Sequence, residues 1–150
     1  FVNSLAGVNG AGGLGDSDAA GQTIFLYGGS YSGGLPLEGS QTLLAQRHGL
    51  SVPDGGAGSV TLEPPAGPGS TISGGVTLAA NNVLQGVDLG DSPGFALSGS
   101  SVGTATINTV TTGAISNTTG GAVSIDTGAL TAAFTSVSSV GGGNGIALNT

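Results

Sequence analysis

The feature that most constrains this chain is a short recurring unit, a glycine followed by an alternating, mostly apolar triplet. It starts at Gly34 (GLPL), Gly75 (GVTL), Gly94 (GFAL), Gly113 (GAIS) and Gly145 (GIAL), with spacings of 41, 19, 19 and 32 residues. The units also match internally. Gly34 is followed by Leu35·Leu37, Leu43-Leu44-Ala45-Gln46 and Leu50·Val52; Gly75 is followed by Val76·Leu78, Val83-Leu84-Gln85-Gly86 and Val87·Leu89. Each unit therefore supplies three short strands bounded by turn residues. A 19-residue unit holds no core of its own, so its apolar face has to be covered by the next unit. Stacked coils of about 19 residues with three strands each describe an all-β fold, the parallel β-helix or β-solenoid. In this register Leu78 and Leu97 are equivalent and are expected to stack inward on each other.

Insertions leave a solenoid as loops at one corner without disturbing the stack. The 41-residue gap contains Pro53, Pro64, Pro65 and Pro68, four of the six prolines, and reads as a surface excursion. Two short coils, with Val60·Leu62 as a strand, are the alternative. The 32-residue gap carries Ala122–Ile125 and Ala133–Val137 as further strands. Within residues 113–121 the register stays open between Ile115 and the pair Ala114/Ser116 as the inward positions.

Composition supports strands and turns. Glycine accounts for 32 of 150 residues, and a glycine in a helix costs about 1 kcal/mol against alanine. No window keeps apolar residues at helical spacing for three turns. The acids are Asp16, Asp18, Glu38, Asp54, Glu63, Asp88, Asp91 and Asp126, and Arg47 is the single base, for a net charge of −7. One arginine displaces too few counterions for non-specific nucleic-acid binding and makes no polybasic membrane patch. Cysteine is absent, which removes disulfides, thiolate nucleophiles and cysteine-based zinc sites. The uncharged stretch between Asp91 and Asp126 is laced with Gly, Ser, Thr and Asn and holds no run of about 20 apolar residues, so it is not a membrane span. The chain starts at Phe1 with no visible leader, as expected of a processed chain or an internal piece.

The stretch Gly21-Gln22-Thr23-Ile24-Phe25-Leu26-Tyr27-Gly28-Gly29-Ser30-Tyr31-Ser32-Gly33 resembles the opening coil of right-handed parallel β-helix proteins of the pectate-lyase-like superfamily. The Ser/Thr/Gly/Asn-rich units after Gly75 resemble repeats of large bacterial surface and autotransporter-type proteins. The resemblance covers residues 21–150 and implies right-handed coiling and an export context. Residues 1–20 then read as a Gly-rich lead-in and 21–150 as a segment of a longer solenoid.

Candidate sites are few. Enzymes of the resembled family act on acidic polysaccharide with an Arg or Lys beside calcium-binding Asp, or with paired Asp. Arg47 has Gln46 and His48 as neighbours in sequence and no carboxylate. Asp88 and Asp91 are the nearest acidic pair, and turn chemistry accounts for them. Gly12-Gly13-Leu14-Gly15-Asp16-Ser17-Asp18 resembles the calcium-binding nonapeptide, with the acids one place off and no second copy. His48 reads as a loop residue. Asn117-Thr118-Thr119 fits a glycosylation sequon, but the turn asparagines Asn81, Asn82, Asn117 and Asn149 are expected to form side-chain ladders between coils. Gly141-Gly142-Gly143-Asn144-Gly145 has neither a following helix nor a lysine, so it is no phosphate loop. No catalytic, cofactor-binding or metal-ligating residue is assigned, and no cofactor is expected.

The function these readings imply is structural: an extracellular or cell-surface stalk, fibre or adhesive rod, without catalysis. Its expected partners are further coils of the same chain or other copies of itself, end to end, and surface glycans. A carbohydrate-binding or polysaccharide-degrading domain is the alternative. Ice binding would need a regular Thr-x-Thr rank, and Thr104·Thr106 with Thr109·Thr111 are too few. Ile146·Leu148 begins a new coil with no cap after Gly145, so the chain is expected to continue or to dock onto another copy head to tail.

Overall fold

The computed structural model describes residues 5–8 and 17–149. A 3-10 turn at Leu5–Gly7 precedes five stacked coils. The first coil comprises β1 (Thr23–Leu26), β2 (Gly29–Ser32) and β3 (Leu35–Pro36). The second has β4 (Thr42–Ala45), a hairpin of β5 (Leu50–Pro53) and β6 (Ser59–Glu63), then β7 (Ser70–Ser73) and β8 (Val76–Leu78). The third contains β9 (Val83–Gln85), β10 (Val87–Leu89) and β11 (Phe95–Ser100); the fourth β12 (Thr104–Ile107), β13 (Gly113–Asn117) and β14 (Gly121–Asp126). The fifth is β15 (Ala129–Ala132), β16 (Phe134–Ser139) and β17 (Ile146–Asn149). Three five-stranded parallel sheets follow: β1-β4-β9-β12-β15, β2-β7-β10-β13-β16 and β3-β8-β11-β14-β17. The all-β parallel solenoid expected from the repeats is the fold, and no α-helix occurs among the described residues.

The coil length is corrected. Turns average about 23 residues, not 19, because the connections differ in length from coil to coil. Thr23 pairs with Thr42, 19 residues on, but Val83 pairs with Thr106 and Leu97 with Val123. Gly113 is out of phase with the other unit glycines. It opens β13 in the second sheet, and Gly121 aligns with Phe95 in the third. Leu78 and Leu97 are both buried but do not pair. Leu97 aligns with Val76, and Leu78 with Gly99, whose missing Cβ leaves room for Leu78 and Val102.

The 41-residue gap is an excursion and not two coils. Leu50·Val52 and Val60·Leu62 form an antiparallel hairpin outside the three sheets, so Leu50·Val52 is not the coil strand the repeat suggested. Alternation alone does not distinguish a coil strand from a hairpin strand; the prolines do. In β13 Ile115 is fully buried and Ser116 exposed, which resolves the inward position.

Inward side chains stack coil upon coil. One column runs Leu35, Val76, Leu97, Val123, Ile146; another runs Ile24, Leu43, Leu84, Ile107, Ala132. Residues of the middle coils in these columns are almost fully buried. Leu5 and Val8 join the same apolar cluster.

Candidate functional site

The densest polar chemistry lies where the hairpin leaves the stack. Arg47 follows β4, and its guanidinium Nη2 pairs with the carboxylate of Asp88 on β10 while Nη1 donates to the Thr112 carbonyl at 3.4 Å. Gly69 makes room for this pair, since a Cβ there would collide with both the guanidinium and the carboxylate. Gly86, at φ +72°, makes room for the Arg47 stem, which a Cβ there would approach to 2.8 Å. The other carboxylate oxygen of Asp88 accepts the Ala114 N–H at 2.8 Å. Arg47 thus ties the second coil to the third and fourth. Its carboxylate partner is absent from its sequence neighbourhood and comes from 41 residues away.

His48 Nδ1 lies 2.8 Å from Thr111 Oγ1, and burial lowers the imidazole pKa below 6.5. Gln46 accepts the Gly28 N–H at 2.7 Å and donates to Glu63 at 3.3 Å, linking the first coil, the second and the hairpin. Leu44, His48, Gly49, Leu50, Ser51, Thr61, Glu63 and Pro65 line a cleft of about 300 Å³ between hairpin and stack. Its hydroxyls, Ser51 and Thr61, lie 3.2 Å apart. The acid and the base that line this cleft, Glu63 and His48, each bond a neighbouring element, through Gln46 and Thr111.

Asp88 and Asp91 do not converge on a common partner. Asp91 Oδ1 accepts the Thr118 N–H at 2.6 Å and the Thr118 hydroxyl at 2.8 Å. The backbone bond and then the hydroxyl hold its pKa below 3.8. Each acid stitches the third coil to the fourth. Of the calcium-like motif, residues 12–16 lie outside the described residues, and Gln41 Nε2 donates to Asp18. No cluster of three or more potential metal ligands occurs among the described residues.

The amide ladder differs from expectation in its partners. Gln22, Gln41 and Asn82 occupy one corner in successive coils, each following a residue of positive φ (Gly21, Ser40, Asn81). Each side-chain oxygen accepts the N–H three residues back, at Ala19, Glu38 and Ala79. Gln41 and Asn82 also donate to carbonyls of the preceding coil, at Ala19 and Glu38. These amides bond the backbone, not one another. Asn117 is fully buried, with its Oδ1 accepting N–H groups of Ser92, Thr119 and Gly120, so the folded sequon presents no free amide. Sequence reading found the asparagines but missed Gln22 and Gln41, whose signal is their position one residue before each first strand.

On the outer side of the first sheet, Thr23, Thr42, Val83, Thr106 and Thr131 form a single rank. Thr109 and Thr111 lie outside the strands and bond Gln85 and His48. No family model matches the chain, and neither a curated protein nor a solved structure similar to it was found.

Proposed function

We propose that this chain is a structural segment of an extracellular, surface-displayed β-solenoid, a rod without catalysis. One observation carries the reading. Val137, Ile146 and Leu148 of the last coil are 44%, 57% and 63% exposed, although they continue columns whose previous members, Ile115, Val123 and Ile125, are buried. An apolar coil face with in-register open strands is a template for one more parallel coil, because stacking continues both the hydrogen-bond ladder and the core. The partner is a further coil of the same chain or the open end of another copy. With Leu5 and Val8 packed into the core, the first coil is a poorer surface for head-to-tail growth than the last. The low charge suits close end-to-end contact, and the resemblance to surface and autotransporter-type repeats supports export.

Electron microscopy of the purified chain tests the rod. Paired or longer end-to-end particles are expected, and they should be lost in an Ile146→Asp, Leu148→Asp double variant. Single short particles at every concentration would contradict it. The carbohydrate reading rests on the polar cleft beside the hairpin. If it holds, Arg47→Ala or His48→Ala abolishes cleavage or binding of an acidic oligosaccharide; on the structural reading these changes act on stability alone, through the lost contacts to Asp88 and Thr111.

A further inference from the structure

The hairpin of β5 and β6 is a two-stranded sheet whose outer edges have no strand partner among the described residues. Such a sheet is marginal alone, and a free edge invites pairing unless something blocks it. The two edges are not alike. The Asp54 N–H donates to the Gly58 carbonyl at 3.3 Å, which makes this pair a bonded one. Antiparallel ladders alternate, so the next pair inward, Pro53 with Ser59, is non-bonded, as is Ser51 with Thr61. Residues of non-bonded pairs turn their backbone groups outward. On β5 the outward positions fall on Ser51 and Pro53, and Pro53 has no N–H and blunts that edge. On β6 the outward residues are Ser59 and Thr61, and the strand Ser59–Glu63 contains no proline, lysine or arginine. Its Val60 and Leu62 are 47% and 57% exposed.

We propose that β6 is a lateral self-association edge, pairing antiparallel with β6 of a second copy to form a four-stranded sheet. The strand is self-complementary in the register that sets Thr61 against its symmetry mate. There Val60 meets Leu62 of the other copy, and Ser59 meets Glu63. The charges fit this occupant. Glu63 is the only charge on the strand, it faces a neutral serine, and the two Glu63 side chains are separated by four residues of strand, about 14 Å. That exceeds the Debye length of about 8 Å at physiological salt, so the like charges are largely screened. The contact uses a different surface from the open coil end and does not rest on the rod proposal.

Sedimentation velocity on the whole chain tests this inference, with four proteins compared over a wide concentration range. Thr61→Pro removes an outward N–H without touching the hairpin's own ladder, and Val60→Lys places a charge in the apolar contact. Ile146→Asp with Leu148→Asp disables the open coil end. In that open-end variant a concentration-dependent dimer should persist, and adding either Thr61→Pro or Val60→Lys should abolish it. Circular dichroism confirms that the coils remain folded, and the lysine variant decides the matter if the proline variant is not. An open-end variant that stays monomeric at every concentration would overturn the proposal, as would a dimer that survives both β6 changes.

Discussion

Leu35 of the first coil and Ile146 of the last are the two ends of one column, yet Leu35 is buried while Ile146 is mostly exposed. The same holds across the molecule. Ile24 and Leu37 in the first coil are buried, whereas Ala132 and Leu148 in the last are open to solvent. Position within the coil does not account for the difference, since the registers are equivalent. Coverage does: Leu5 and Val8 are packed with the first coil, and among the described residues nothing lies over the last. In a stack where each coil contacts only its neighbours, the stability of a side chain depends on the coil above as much as on its own residue type.

Leucine truncations sharpen this contrast most strongly. Leu97→Ala, in the middle of its column, is expected to cost about 2–5 kcal/mol through the cavity left among Val76, Val123 and their neighbours. Leu148→Ala in the last coil should cost well under about 1 kcal/mol in the monomer. Urea denaturation of both variants measures the gap; equal costs would show that the last coil is covered.

A glycine change probes the same interior from the opposite direction. A Cβ on Gly113 would collide with the Val87 carbonyl oxygen and approach the Asn108 amide. Gly113→Ala should therefore destabilise by about 1–3 kcal/mol through overpacking. Gly143, which has open space around it in the last coil's loop, should accept alanine with little change.

Polar stitches should grade in the same way. Asn117→Ala strands three N–H groups of the third and fourth coils and two carbonyls. A cost of about 1–3 kcal/mol is expected. Ser139→Ala in the last coil removes one bond to the Gly120 carbonyl and should stay below about 1 kcal/mol. Thermal denaturation of the two variants separates them.

The smallest expected effect is on pH dependence. Burial disfavours charged His48, so the unfolded chain binds this proton more readily than the folded one. The associated stability is complete above the unfolded value of 6.5 and declines as pH falls through it. Asp91 acts later on acidification: its lowered pKa gives stability present above 3.8 and lost below. Melting temperatures should therefore fall slightly between about pH 7.5 and 5.5, and His48→Gln should flatten that interval.

Much of the fold was legible because turn residues punctuate it. Gly74-Gly75, Asn81-Asn82 and Gly86 separate β8, β9 and β10, and all three strands lie where the alternation placed them. Coil register was less legible. It depends on turn lengths that vary, and the strand after Gly113 begins a different sheet from those after Gly75 and Gly94. The Arg47–Asp88 pair was hidden for the same reason, because the inserted hairpin separates the partners by 41 residues while stacking brings them together. β15 escaped detection since Ala129-Leu130-Thr131-Ala132 carries too little apolar contrast to announce a strand.

The central claim is that the exposed coil face of β15, β16 and β17 is a stacking surface. Sedimentation velocity in a Thr61→Pro background, which silences the hairpin edge, tests it most directly. The account predicts concentration-dependent association that disappears when Ile146 and Leu148 are both changed to Asp. A Thr61→Pro protein that stays monomeric at every concentration with Ile146 and Leu148 intact would contradict it, as would association that survives their change to Asp.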